Sequence, residues 1–213
     1  MKKKTQGLLI TFEGIDGCGK TTQARRLYAS LKRRRYPVLF VREPGGTPVS
    51  ERIRKILLDR DAAITSICEL FLYEAARAQL AEQVIIPELE KGTIVICDRY
   101  YDSTTAYQGY GRRLDLRLTE KLNYLASKNR PPDLTFVFDV DYRTSLARRK
   151  VSADRLERES RAFFDRVRRG FRALAKDKRV TLLDGRRDIV TLAEQVSEHA
   201  LRVIRWRMPG AAV

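Results

Sequence analysis

Cysteine and histidine are scarce in this chain of 213 residues: one histidine, His199, and three cysteines, Cys18, Cys68 and Cys97. Three thiols cannot close into a full set of disulfides, and none forms a Cys-x-x-Cys pair. Neither a disulfide framework nor a Cys/His zinc site is therefore expected, and a reducing interior suits such thiols. Long apolar runs are missing as well. No stretch approaches the roughly 20 apolar residues that span a bilayer. The short run at 8–12, behind Met1-Lys2-Lys3-Lys4, cannot supply the apolar core of a signal peptide. The expectation is a cytoplasmic protein with no membrane partner. Repeats and low-complexity linkers are also absent. Acidic residues are few, 27 Asp and Glu against 43 Lys and Arg, which leaves a net charge of +16. Such a charge favours polyanions, whether nucleic acid, an anionic membrane or a highly phosphorylated small molecule, without choosing among them.

What is present reads as one folded domain over 1–213. The composition, 43% hydrophobic and 33% charged, is globular. A chain of this length buries roughly 70% of its extended surface and needs no staple. Apolar runs at 8–12, 38–41, 93–97, 134–140 and 180–183 lack polar alternation, as parallel strands covered on both faces do. Between them lie helical patterns at 20–35, 48–59, 67–90, 116–129, 142–150, 160–177 and 189–206. Strand alternating with helix predicts an α/β fold with a five-stranded parallel sheet and helices on both faces.

The strongest local signal is Gly14-Ile15-Asp16-Gly17-Cys18-Gly19-Lys20-Thr21. It matches the phosphate-loop pattern G-x-x-x-x-G-K-[ST], after an apolar strand and before a helix, where the mechanism requires it. The glycines let backbone N–H groups turn inward around a nucleotide phosphate, and the helix behind adds its positive end. Lys20 supplies a charge to the β- and γ-phosphates, and the Thr21 hydroxyl suits Mg²⁺.

No basic residue lies between Gly14 and Gly19, so a cation for the charge that develops during phosphoryl transfer must come from elsewhere. Residues 143–172 hold eleven basic and four acidic side chains, a surplus of +7 and nearly half of the total. A basic flap after the fourth strand, interrupted at Val151-Ser152-Ala153-Asp154, is what a nucleotide kinase uses as a lid over the phosphates. The same run also reads as a solvated helix surface or a nucleic-acid patch. Its basic core carries no interleaved aromatic residue, which disfavours a stacking platform.

On the acceptor side, Asp98-Arg99-Tyr100 ends the third strand, where ligands of open parallel sheets bind. Asp98 suits Mg²⁺ through a water, and Arg99 suits a phosphate. Alone, the pair also reads as a strand cap. Tyr73 and Arg77 lie four apart and share a helix face. They can grip a base, or they can be a core tyrosine beside a surface arginine. Ser103-Thr104-Thr105-Ala106-Tyr107-Gln108-Gly109 offers hydroxyls, a phenol and an amide, and by composition is an ordinary polar loop.

Together these strings resemble the thymidylate kinase family. The matching segments are Phe12-Glu13 with the phosphate loop through Gln23, Arg42-Glu43-Pro44-Gly45-Gly46-Thr47, Asp98-Arg99-Tyr100 with Ser103, Ala106-Tyr107-Gln108-Gly109, and Asp154-Arg155-Leu156-Glu157. The likeness runs in order from about residue 8 to 185. It is to the bacterial form, which carries its cations in the lid rather than in the phosphate loop. The resemblance implies a P-loop nucleoside monophosphate kinase-like fold with a small lid near 148–158. It implies transfer of the ATP γ-phosphoryl group to dTMP, with ATP as co-substrate, Mg²⁺ as cofactor and a homodimer as the assembly.

Carried over by position, Gly14, Ile15, Asp16, Gly17, Cys18, Gly19, Lys20 and Thr21 would bind ATP, and Thr21 and Asp98 the metal. Lys20, Arg99, Asp16, Arg149 and Arg155 would be catalytic, with Arg148 beside them. Glu43, Arg54, Tyr73, Arg77, Arg99, Thr104, Tyr107 and Gln108 would bind dTMP. Tyr73 stands where the family usually has phenylalanine, Ala76 where many relatives have a polar residue, and +16 is high for the family. Two other readings remain at this point: a P-loop NTPase working on nucleic acid, and a kinase of another small phosphate acceptor.

Overall fold

The computed structural model describes residues 7–149 and 155–209. Among them, β1 (Leu9–Glu13), β2 (Val38–Arg42), β3 (Ile94–Asp98), β4 (Leu134–Asp139) and β5 (Val180–Asp184) form one sheet in the order β2-β3-β1-β4-β5. Every pairing is parallel, with Ile10 beside Ile96 on one side and Leu134 on the other. The α/β fold with a five-stranded parallel sheet is as expected. Each strand runs one residue or so further than, or stops short of, its apolar run, so that all five end on a charged residue: Glu13, Arg42, Asp98, Asp139 and Asp184. Charge thus gathers at the carboxyl edge, where β1 and β3 lie side by side.

The helices are α1 (Lys20–Arg33), α2 (Pro48–Leu58), α3 (Ser66–Leu80), α4 (Ile86–Glu90), α5 (Tyr101–Thr104), α6 (Leu116–Ala126), α7 (Tyr142–Arg148), α8 (Arg161–Leu174) and α9 (Ile189–Arg207). Leu8, Ile10, Phe12, Phe136 and Phe138 bury against α1 and α9 on one face, through Leu27, Leu31, Val196 and Ile204. Leu9, Val95 and Cys97 bury against Leu80, Ile85 and Leu89 on the other. Burying each such side chain contributes on the order of 2 kcal/mol, which makes this sheet the rigid base of the site.

Two elements differ from the sequence reading. The helix expected over 67–90 is α3 and α4 joined by a π-helical turn, Ala81–Ile85. Pro87 has no N–H for the carbonyl four residues before it, and the widened turn lies just ahead of it. The polar loop read at 103–109 is helical instead: α5 runs into a π-helical segment, Thr105–Gly111. Packing overrides its weak propensity, because Gly170 and Gly111 let α8 close on it. A Cβ at Gly170 would meet the Tyr110 ring at 2.9 Å, and one at Gly111 would meet Phe163 at 2.7 Å. Of the lid span 148–158, residues 150–154 lie outside the described residues, as do the basic N-terminus and residues 210–213. No described helix is long and apolar enough to cross a membrane.

Candidate active site

The phosphate loop links β1 to α1 through backbone that only glycine adopts freely: φ is 135° at Gly14, 77° at Gly17 and 97° at Gly19. Room is short as well as conformation, since a Cβ on Gly17 would lie 2.6 Å from the Ser145 carbonyl oxygen. Ile15 and Cys18 turn into the core. Lys20 donates to Asp16 Oδ1 at 3.1 Å. The Thr21 hydroxyl donates to Asp98 Oδ2 at 2.6 Å, while Asp98 Oδ1 is buried without a hydrogen-bond partner. An unpaired carboxylate oxygen beside a loop hydroxyl fits a Mg²⁺ that keeps its waters and leans on nucleotide phosphates. Such a site needs no cluster of three protein ligands, and none exists among the described residues.

Two clefts open from this edge. The donor cleft, about 1690 Å³, has the loop as its floor, Arg148 and Arg149 on one wall and Arg186, Arg187 and Ile189 on the other. Arg149 lies 4.1 Å from the Phe164 ring centroid and donates to Ser145 Oγ at 2.7 Å, and Ser145 in turn donates to the Asp16 carbonyl at 2.6 Å. Arg148 bonds the Gly185 carbonyl at 2.7 Å. Arg186 and Arg187 escaped the sequence reading. Their position just past the fifth strand was the available signal. Arg155 does not join the donor cleft: its guanidinium pairs with Glu69 at 2.6 Å and bonds the Leu57 carbonyl at 3.2 Å.

The acceptor cleft, about 580 Å³, brings together all eight residues expected to bind the second substrate, and Asp16 lines both clefts. Arg99 turns off β3 in the left-handed region, at φ 70°, a conformation that costs a non-glycine residue about 1–2 kcal/mol. That turn aims its guanidinium at Asp16 Oδ1, 2.6 Å away, and at Gly14 O and Ser103 Oγ, each at 3.0 Å. The Tyr107 hydroxyl sits 3.4 Å from both Arg99 and Asp16. Burial alone would raise the Asp16 pKa, but Arg99 and Lys20 hold it well below the usual carboxylate range.

Deeper in the cleft, Arg77 is buried and donates to Glu43 Oε2 and Glu74 Oε2, each at 2.8 Å, to Thr104 Oγ1 at 2.9 Å and to Asn123 Oδ1 at 3.3 Å. Of its five N–H groups one is left for a ligand. Burial raises Glu43 to about 7 and Glu74 reinforces this, against the pull of Arg77. The Glu43 loop is set by neighbours: Arg42 grips Glu51 with two bonds of 2.9 Å, and Arg42 and Arg54 both donate to the Pro44 carbonyl. Gln108 donates to Glu69 at 2.8 Å, and Tyr73 forms part of the wall. Sequence reasoning missed Glu13, whose carboxylate accepts from the Tyr100 N–H at 2.7 Å and from Ser103 Oγ at 2.5 Å, behind Arg99. It also missed Glu69, Glu74 and Asn123.

Residues 12–196 match the family model described as thymidylate kinase. The chain belongs to the thymidylate kinase family. The thymidylate kinase of Caldanaerobacter subterraneus subsp. tengcongensis is 45% identical over 211 residues, covering 98% of this chain and 100% of that one. That of Chlorobaculum parvum is 46% identical over 190 residues, covering 83% and 88%. A solved structure, thymidylate kinase from Ehrlichia chaffeensis, superposes with a TM-score of 0.76 at 37% identity, over 92% of this chain and 99% of that one. Membership in the thymidylate kinase family accounts for two clefts on one carboxyl edge: a kinase of a small acceptor holds two anionic ligands end to end. Among the described charged residues, Asp16 is the one that lines both.

Proposed function

We propose that the chain transfers the γ-phosphoryl group of ATP to dTMP, giving dTDP and ADP. The observation that carries this reading is the meeting of the clefts: Lys20 on the donor side and Arg99 on the acceptor side both bind one oxygen of Asp16, at 3.1 and 2.6 Å. Two phosphates placed on these two cations face each other across that carboxylate. The acceptor phosphate oxygen is already a nucleophile, so no general base is required and catalysis is positioning plus charge neutralisation. The acceptor oxygen forms a bond to the γ-phosphorus as the bond to the β–γ bridging oxygen breaks. Lys20 and Arg149 take up charge on the transferred group, and Arg99 holds the acceptor in line. Mg²⁺, held by Thr21 and through water by Asp98, would neutralise the β- and γ-oxygens when bound.

Arg77, Thr104 and Gln108 read the base edge, and Tyr107, between Arg99 and Asp16, sits against the sugar. Burial of the thymine methyl is worth about 0.8 kcal/mol, so dUMP is a several-fold poorer substrate. A base with the wrong edge leaves buried polar groups unpaired and is rejected far more strongly. The reading extends to a homodimer. Phe71 on α3 and Leu125 on α6 are 53% and 74% exposed, on helices that pack together. It extends also to a reducing, cytoplasmic setting, which suits three free thiols.

The test is ADP release from ATP and Mg²⁺ with dTMP, dUMP, dCMP, dGMP or no acceptor, and with single-stranded DNA in a separate reaction. ADP release that requires dTMP is the expected outcome. Comparable rates on dGMP and dTMP, or release driven by DNA and indifferent to dTMP, would overturn it.

A further inference from the structure

Glu69 lies in the first turn of α3, is fully buried, and does not line either cleft. Three side chains converge on it. Arg112 forks onto it through Nε and Nη2, each at 3.0 Å. Arg155 pairs with Oε2 at 2.6 Å. Gln108 gives its amide nitrogen to Oε1 at 2.8 Å. Arg112 is itself held by Glu159 and by the Phe163 ring, 4.8 Å from its guanidinium carbon. Against the effect of burial, Arg112 and Gln108, with Arg155 behind them, keep the Glu69 pKa below its ordinary value.

A carboxylate between two guanidinium groups only accepts hydrogen bonds. The Gln108 amide can meet it only with its nitrogen, which leaves its oxygen as the end available to the cleft that Gln108 lines. The identity of the amide ends is thereby fixed by chemistry rather than by shape. Beside it Arg77 has only donors to offer. The wall therefore presents an acceptor next to a donor.

We propose that Glu69 is a specificity-determining positioning residue: by orienting the Gln108 amide, it makes the acceptor cleft favour a pyrimidine with an N3–H beside a carbonyl and reject one with a bare N3 beside an amino group. Thymine and uracil have the first edge and cytosine the second. This rests on the proposed function and adds to it the group that sets the sign of the base-reading contact. With the amide reversed, its nitrogen would face the cleft and suit cytosine.

The experiment compares kcat/KM for dTMP, dUMP and dCMP in the wild type, in Glu69→Gln and in the exchange variant Glu69→Gln with Gln108→Glu. The amide introduced at 69 can donate to the Gln108 oxygen and so allows the reversal. The dTMP:dCMP ratio is expected to fall at least about tenfold. The dTMP:dUMP ratio and the KM for ATP stay unchanged. In the exchange variant the carboxylate introduced at 108 again shows the cleft only acceptors, and the dTMP:dCMP ratio returns to within about threefold of wild type. A merely structural role predicts equal losses on all three acceptors in Glu69→Gln, with no change in ratio, and that result overturns the proposal. If Glu69→Gln does not fold, the exchange variant still tests the idea: a dTMP:dCMP ratio near one overturns the proposal. Wild-type enzyme without dTMP-dependent ADP release is a different failure, that of the proposed function itself.

Discussion

Glu13 and Asp16 stand three residues apart at the same sheet edge, yet their environments push them in opposite directions. Asp16 has two cations on one oxygen and stays ionised. Glu13 is raised to about 8, first by burial and then by Asp102, with Ser103, Arg99 and the Tyr100 N–H only partly opposing. The linkage sign follows. A carboxyl whose folded pKa exceeds its unfolded one contributes stability that is fully present below about 4.5 and is lost as pH rises through about 8. Glu13→Gln removes that loss: its oxygen still accepts from Tyr100, and the Ser103 hydroxyl can turn to accept from its nitrogen. The expected outcome is a Tm that declines less between pH 6 and 9 in Glu13→Gln than in wild type, with a residual slope from Glu43 near 7. Parallel Tm–pH curves for the two proteins would sink this account. The same residues mark what the chain order reveals. The placement of Lys20, Thr21 and Arg99 at the sheet edge was legible because a phosphate loop and a strand-end arginine are set by local backbone. Glu13 bonds Ser103 across 90 positions, and Arg77 bonds Asn123 across 46. A buried ion or hydroxyl partner at such separations leaves no pattern in a window of sequence. Arg155 was expected among the phosphates because Asp154-Arg155-Leu156-Glu157 resembles the family's lid string, and it is found on Glu69; a string does not say which carboxylate an arginine will find.

At the scale of elements, the strands were legible because burial leaves β1, β3 and β4 almost wholly apolar before their charged ends, Thr11 and Thr135 apart. The charged ends of β1, β2, β3 and β5 fell just beyond their runs, and Asp139 of β4 lay inside its own. The segment after β3 was not legible. Its Ser, Thr and Gly residues favour a loop, and it is helical only because α6 and α8 close around it. Helix α2 shows how an element sets the site from a distance. Thr47 caps it by accepting from the Ser50 N–H at 3.1 Å and donates to Ser50 Oγ at 2.8 Å, and Ser50 reaches the Ala76 carbonyl at 2.8 Å. This chain ties the Glu43–Gly46 loop to the helix of Tyr73 and Arg77. Thr47→Ala should cost about 0.5–2 kcal/mol of stability. It should also raise KM for dTMP several-fold while leaving KM for ATP alone, because none of the described residues lining the donor cleft belongs to α2. Thermal melts and separate titrations of the two substrates check this. An equal rise in both constants would show that the cap serves the whole fold rather than the acceptor side.

For the whole molecule, charge and apolar surface oppose each other. Each 24.6 kDa chain carries +16, so two copies repel at long range. Yet Val49 and Ile56 on α2, Ile67 and Phe71 on α3, and Leu118 and Leu125 on α6 are exposed. Helix α3 packs against both of the others, so these side chains belong to one side of the molecule. A stable contact needs roughly 800 Å² from each partner, and three adjacent helices can supply it. If burial of that side drives pairing, salt should strengthen it, since screening weakens the repulsion and leaves the apolar term intact. An interface held by ion pairs would respond in the opposite sense. Equilibrium sedimentation should therefore give twice the chain mass, with tighter association at about 0.5 M than at about 0.05 M NaCl. Phe71→Asp should leave a folded single chain, because a charge placed in an apolar contact has no partner there. A monomer at every salt concentration, or a Phe71→Asp protein that still pairs, would show that this side of the molecule faces water instead.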